Sequence, residues 1–134
     1  MGNAKKMVQV KKKLESLGHV VFLPPGTEEC VKDPKLIDDL ERDLQFCLEH
    51  DVMMTGFRLI NKSNAILILN YSKNGIKGYI GASVLMEIAV ARWLGKKTFL
   101  LNELPPMNKA RWVIEVKMMK PEIIRGDFTK LKPV

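Results

Sequence analysis

The sequence has little cysteine and no long apolar run, and both absences narrow the classes of protein to which it can belong. Its two cysteines, Cys30 and Cys47, have neither metal-ligand spacing nor a neighbouring histidine or cysteine. Composition therefore favours two reduced thiols, and no metal is expected. No apolar run approaches the roughly 20 residues that a membrane span needs. The basic N-terminus lacks the apolar stretch of a secretory signal, so we expect a cytoplasmic protein without a membrane partner.

Aromatic residues are also scarce, at 7% of the chain, and this bears on the meaning of its positive charge. Lysine and arginine number 22 against 15 aspartates and glutamates, which gives a net charge of +7. Such an excess can mark a nucleic-acid surface. However, no patch of arginines interleaves with aromatic residues. The composition thus argues against nucleic acid and favours a phosphate-bearing small molecule, or simply solubility.

The chain has no internal repeat, low-complexity tract or linker, and its length predicts a single domain over residues 1–134. Apolar periodicity and turn residues predict alternating helices and strands in the order α-β-α-α-β-α-β-α-β. That order is typical of a three-layer α/β/α domain with a parallel sheet. The predicted strands are Val20–Leu23, Ala65–Asn70, Thr98–Leu101 and Glu122–Ile124.

Leucine spacing and an Asp-Pro pair predict a long helix in the first half of the chain. Asp33 and Pro34 form a suitable N-cap and first-turn pair. Leucines then recur on one face of the predicted helix: Leu36, Leu40, Leu44 and Leu48. A second helix, with the sequence DVMMTGFRLINK, is predicted to follow it.

A single acid, Glu87, lies in an otherwise apolar or small-residue helix predicted to begin at Gly81–Ser83. Its neighbours on the helix face include no cation and only one polar residue: Ser83, Val84, Val90, Ala91 and Leu94. A carboxylate on an apolar stripe is costly unless something satisfies it. Two interpretations stay open. Either the acid has a function, or the stripe is a helix edge where Glu87 reaches water beside Arg92 or Lys96.

Polar residues also follow two of the predicted strands. Asn70 and Asn102 each come at the C-terminal end of a buried strand, where α/β domains place their ligands. Their side chains could hydrogen-bond a base or ribose, or could cap the next element as turn residues. The following helix start offers free backbone N–H groups, which hold phosphates or sugar oxygens. Small residues there, Gly81, Ala82 and Ser83, let a ligand approach the backbone.

Four segments carry a resemblance to a known family: KKKLESLGHVVFLP, SNAILILN, GYIGASVLMEIAVARWLGKKTFLLNELPP and KPEIIRGDF. They resemble the nucleoside 2-deoxyribosyltransferase superfamily, in particular its small uncharacterised bacterial and archaeal members. The resemblance covers nearly the whole chain and is most specific from Asn70 to Asn102. It implies a flavodoxin-like fold with strand order two-one-three-four-five. It also implies cleavage of the N-glycosidic bond of 2'-deoxynucleosides or their monophosphates through a covalent glycosyl-glutamate, which falls on Glu87. Since characterised relatives complete their sites across a subunit interface, we expect a homo-oligomer.

The chain departs from that family's pattern at its acids and at its start. An aspartate lies six residues before the nucleophile in relatives and another opens the third strand, where this chain has Gly81 and Asn64. Tyr79 is the best local candidate for the missing acid, although it could instead pack over the loop. No strand fits before Lys5, so the N-terminal strand is expected to be missing or to lie upstream. If it is missing, strands two and three pair directly, a partner chain fills the slot, or the chain is poorly stable.

The sequence thus predicts a nucleoside- or nucleotide-binding protein that transfers or hydrolyses an N-glycosidic bond without a cofactor. The expected catalytic residues are Glu87 as nucleophile and Tyr79. The expected substrate-binding residues are Asn64, Asn70, Gly81, Ala82, Ser83 and Asn102. The alternative is a non-catalytic nucleotide-binding module that has lost its acids. A basic nucleic-acid-binding protein is a third possibility, which depends on the charge alone.

Overall fold

The computed structural model describes residues 3–132, and they form two compact units. The first unit ends at Leu59 and the second runs from Ile60 to Lys132. Each has its own apolar cluster. No helix within residues 3–132 combines the length and the apolar character that crossing a membrane requires.

The first unit is built from helices. They are α1 (Ala4–Ser16), α2 (Thr27–Lys32), a 3₁₀ turn at Leu36–Asp38, α3 (Leu40–Glu49) and most of α4 (Val52–Lys62). Ala4, Cys30 and Leu36 form its buried core, with Phe46 among the half-buried residues packed against them. The predicted helix with the sequence DVMMTGFRLINK is confirmed as α4.

The predicted strand Val20–Leu23 does not form. Val20 is 87% exposed, Phe22 is 49% exposed, and the segment pairs with no strand of the part of the chain described here. A β-branched run becomes a strand only where a neighbouring strand supplies hydrogen bonds, so strand propensity alone was insufficient. Of the three outcomes expected for a missing first strand, direct pairing of the second with the third does not occur.

The long helix predicted from Asp33 begins only at Leu40. Asp33 instead ends α2, and its carboxylate accepts a hydrogen bond from the Arg42 guanidinium at 2.8 Å. Asp39 is the true N-cap, since its Oδ1 accepts the backbone N–H of Arg42 at 3.2 Å. The leucines Leu40, Leu44 and Leu48 share one face of α3, and all three are exposed.

The second unit contains a parallel sheet of three strands, β1 (Ala65–Ile68), β2 (Lys97–Leu100) and β3 (Glu122–Ile123), in the order β1-β2-β3. Helix α5 (Ala82–Trp93) connects β1 to β2 and packs on both, and α6 (Val113–Met118) lies between β2 and β3. The mixed α/β class and the last three predicted strands are confirmed, although β1 and β3 are shorter than expected and β2 begins and ends one residue earlier.

Burial places the core of the second unit around the central strand. Ile68 and Leu100 pair across the sheet and share a buried cluster with Ile80, Ile88 and Val116. Phe99 in β2 and Leu101 just after it, which point to the opposite face from Leu100, are also buried. Strand β2 is therefore covered on both faces, as is usual in parallel sheets. Strand β1 is at one edge of the sheet, and most of it is only half-buried.

Candidate functional site

Two asparagines join the C-terminal ends of β1 and β2. The Nδ2 of Asn70 donates to the carbonyl of Asn102 at 2.8 Å, and its Oδ1 accepts the Asn102 N–H at 2.9 Å. In return, Nδ2 of Asn102 donates to the Asn70 carbonyl at 3.2 Å. Asn70 is only 1% exposed. Its amide thus extends the strand pairing beyond Ile68 and Leu100, which favours the structural role over the ligand-binding role that the sequence left open for it.

The loop between β1 and α5 lies directly against the backbone that follows β2. Gly78 has a φ of +74°, and a Cβ added there would overlap the carbonyl oxygen of Glu103. Only glycine combines that backbone conformation with so close an approach. The contact holds the start of α5 at the C-terminal edge of the sheet, beside the Asn70–Asn102 pair.

Tyr79 lies in an aromatic group at the same edge. Its ring meets Trp112 edge-on, with centroids 6.1 Å apart and planes at 84°, and the Lys73 ammonium lies 5.8 Å from its centroid. A Cβ added to Gly81 would come within 3.9 Å of the Tyr79 ring. The structure therefore brings Tyr79 to the helix start. Sequence reasoning overlooked Trp112 and Lys73. The only feature that could have indicated them is that each lies in a segment that follows the C-terminal end of a strand.

The start of α5 is open to a ligand. Gly81 precedes the helix in extended conformation, and among residues 3–132 no side chain caps it. Ala82 and Ser83 are both exposed. The N–H groups of a first helical turn have no partner within the helix, so they are available to an anion or a polar oxygen. Gly81, Ala82 and Ser83 thus lie where the sequence placed them.

Glu87 lies in the second turn of α5, largely withdrawn from water. Its neighbours Ile88 and Ala91 are 1% and 0% exposed, and burial raises the pKa of the Glu87 carboxyl above its usual range. Neither Arg92 nor Lys96 forms a salt bridge with it within the part of the chain that is described. Glu87 therefore forms no ion pair with Arg92 or Lys96 there, and its carboxyl is largely desolvated.

Asn64 is not brought together with the other candidates. It precedes β1, is exposed, and only its backbone carbonyl takes part in the sheet, accepting the Lys97 N–H at 3.4 Å. Asn70 lies six residues further along, which is roughly 20 Å of extended chain. Asn64 is therefore at the N-terminal edge of the sheet, opposite the site.

One ion pair adds charge to the C-terminal edge. Arg125, just after β3, pairs with Glu103, just after β2, and both side chains are more than half exposed.

No family model, curated protein or solved structure matches this chain, so its function must be argued from this geometry and from the resemblance of its segments.

The raised pKa of Glu87 leads to a prediction about stability and pH. The folded state binds this proton more tightly than the unfolded chain, whose glutamate pKa is about 4.3. The cost of burying the charge is thus fully present above the folded-state pKa and is relieved as the pH falls through it. We therefore expect Glu87→Gln to be more stable than the native chain at neutral pH, and we expect this difference in stability to shrink in acid. Urea unfolding of both chains at a series of pH values measures the difference.

Glu115→Gln is the matched control, because Glu115 is an exposed glutamate on α6 of the same unit. It removes the same formal charge without removing a buried one, so it should show little of this pH-dependent gain. A Glu87→Gln chain that is less stable than the native chain at neutral pH would show that the carboxylate is satisfied in the fold.

Proposed function

We propose that this chain binds a nucleoside or nucleotide at the C-terminal edge of its sheet and transfers or hydrolyses its N-glycosidic bond, with Glu87 as the nucleophile. The observation that carries the proposal is Glu87 itself, a mostly buried carboxyl with a raised pKa on a helix that starts at that edge. The carboxylate is displaced from water and has no salt bridge in the described chain, so its burial costs folding free energy. A purely structural role would not offset that cost, which favours a functional role. The resemblance to nucleoside 2-deoxyribosyltransferases supports the same role.

The surroundings suit the parts of a nucleotide. The Tyr79 ring offers an aromatic surface for a base, and the open start of α5 with Lys73 nearby offers positive charge for a phosphate. Glu87 lies five residues beyond Ala82, about 7.5 Å further along the helix axis. A sugar bound between the helix start and Glu87 would bring its anomeric carbon towards the carboxylate.

The proposed reaction has two balanced steps. A Glu87 carboxylate oxygen forms a bond to the anomeric carbon while the bond from that carbon to the base nitrogen breaks, and the electron pair leaves with the base. Another base or water then attacks the anomeric carbon, the bond from that carbon to the Glu87 oxygen breaks and restores the carboxylate, and the attacking group gives its proton to the side chain that protonated the departing base. The departing base needs a proton, which we assign to the Tyr79 hydroxyl. Such acid help is typically worth about 10²- to 10⁴-fold.

The flavodoxin-like architecture is part of this proposal. The sheet order β1-β2-β3 corresponds to strands three, four and five of the order two-one-three-four-five. The open edge of β1 is where the first strand would lie, between the second and third. If a further strand paired with that edge, the sheet would have the α/β/α arrangement. The proposed site would then lie outside the carboxyl ends of the strands, where open α/β sheets bind their ligands.

A second candidate function is a non-catalytic nucleotide-binding module. Two observations favour it: the positions of the family's aspartates hold Gly81 and Asn64, and the Asn70 amide is committed to Asn102. Such a protein would keep the phosphate- and base-binding surfaces and lose turnover.

A panel of deoxynucleosides and their 5'-monophosphates separates these functions. We expect saturable binding by calorimetry that tolerates added salt, and slow base exchange or hydrolysis measured by chromatography. Binding without turnover would support the module. Absence of nucleoside binding, with affinity for an oligonucleotide that falls steeply as salt is added, would contradict both and indicate a nucleic-acid-binding protein.

A further inference from the structure

The end of the sheet opposite the candidate site gathers positive charge. Strands β1, β2 and β3 run parallel, so the segments that lead into them meet at their N-terminal edge. Helices α5 and α6 end there on one face of the sheet, because Ile88 and Val116 share a buried cluster with Leu100. The three segments contain a single acid, Glu122. They carry six cations, which are Lys62, Arg92, Lys96, Lys97, Lys117 and Lys120.

These cations are not used within the fold. Among residues 3–132 none of the six forms a salt bridge, and five of them are exposed. Three occupy the last turns of α4, α5 and α6, where the helix dipole favours positive charge. Lys97 and Lys120 lie beyond those turns, so the dipole does not account for them. The charge is therefore available to an anionic partner.

Large apolar side chains are exposed among these cations. Trp93 and Met118 are the last residues of α5 and α6, and they are 90% and 58% exposed. Leu94, which follows Trp93, is 38% exposed. Tryptophan beside lysine is typical of the membrane–water interface, where the indole lies at headgroup level and the ammonium groups meet lipid phosphates. Together the six cations and these three side chains form a surface that we call the basic edge.

We propose that the basic edge binds the surface of an anionic bilayer, with Trp93, Leu94 and Met118 among the headgroups. Charge complementarity brings the two surfaces together. A nucleic acid would also be attracted, but Leu94 and Met118 offer no ring on which a base can stack, whereas lipid covers all three apolar side chains. This proposal replaces the expectation of no membrane partner, which depended on the lack of a spanning run. A contact at the membrane surface requires no such run.

The position of the basic edge determines how the bound chain is oriented. The strands run from this edge to the start of α5, so a bilayer at the basic edge leaves the candidate site facing water. Each lysine or arginine near an anionic surface raises the affinity by a factor of about five. Binding should therefore be reversible and should weaken as salt is added. The proposal does not rest on the proposed function.

Co-sedimentation with vesicles tests the role of charge. We expect the native chain to sediment with vesicles of equal parts phosphatidylserine and phosphatidylcholine, and not with phosphatidylcholine alone. Lys97→Gln combined with Lys117→Gln should weaken binding about 25-fold, since two cations leave the basic edge. Lys77→Gln combined with Lys109→Gln is the matched control. It removes the same charge from exposed positions in segments that follow β1 and β2, so it should bind like the native chain.

Tryptophan emission tests the apolar contact. Emission of the native chain should shift to shorter wavelength with the anionic vesicles as Trp93 leaves water. Trp93→Ala should lose the shift and bind at least about 10-fold more weakly. Met107→Ala is the matched control, because Met107 is 52% exposed in the segment that follows β2, and it should keep both properties. Circular dichroism verifies that each variant is folded.

Four results would overturn the proposal. They are a native chain that does not bind the anionic vesicles or binds phosphatidylcholine equally well, equal losses in the two double lysine variants, a Trp93→Ala chain that binds like the native chain, and a single-stranded oligonucleotide that binds through Lys97 and Lys117 while vesicles do not.

Discussion

Glu87→Gln is expected to abolish base exchange and hydrolysis, with a loss of at least about 10³-fold, while nucleoside affinity changes little. The amide has nearly the volume of the acid but cannot supply the carboxylate oxygen that attacks the anomeric carbon. The side chain occupies the second turn of α5, beyond the helix start and Tyr79 ring to which binding is assigned. Rates by chromatography and affinity by calorimetry, on the same preparations, separate the two effects.

Two further variants make this result specific. Glu115→Gln removes an exposed glutamate from α6 and should keep both rate and affinity. Tyr79→Phe keeps the ring against Trp112 but removes the hydroxyl, so a rate loss of about 10²- to 10⁴-fold is expected if that hydroxyl protonates the leaving base. A Glu87→Gln chain that turns over like the native chain would contradict the nucleophile assignment.

Gly78→Ala is expected to destabilise the second unit by about 3 kcal/mol. The φ of +74° is unfavourable for any residue with a Cβ, at a cost of about 1–2 kcal/mol. The new methyl group would also overlap the Glu103 carbonyl, and relief requires the backbone to move rather than a flexible side chain. Urea unfolding followed by tryptophan fluorescence measures the loss.

Gly75→Ala isolates the contribution of the backbone conformation. Gly75 has almost the same φ, +75°, but an added Cβ there would meet no atom of the described chain within 4 Å. Its expected cost is about 1–2 kcal/mol, from the left-handed conformation alone. If the two alanine variants lose equal stability, then the loop does not depend on the close approach at Gly78.

Local pattern was enough to predict most helices and three of the strands. The apolar runs at β1 and β2 have the length of strands, α4 follows helical periodicity, and the apolar run of α5 is too long for a strand, so each could be located without a partner. Val20–Leu23 has equally strong local preference but no strand beside it, and the pairing of a strand is a property of the whole fold.

The candidate site was predictable where topology alone determines proximity. The carboxyl ends of parallel strands meet at one edge, which is why Asn70 and Asn102 lie together near the start of α5. The sequence could not show that their amides bond to each other's backbone, because that depends on ångström-scale spacing between the strands. Asn64 became a candidate only because relatives have an aspartate at the start of their third strand. It precedes β1, so it lies at the opposite edge of the sheet.

Trapping the glycosyl-enzyme tests the central claim most directly. The native chain is incubated with a deoxynucleoside, quenched in acid and measured by intact-protein mass spectrometry, followed by peptide mapping. We predict a gain of the mass of one deoxyribosyl group, located on the peptide that contains Glu87 and absent from the Glu87→Gln variant. Turnover without any adduct on that peptide, or an adduct that persists in the variant, would contradict the assignment of Glu87 as the nucleophile.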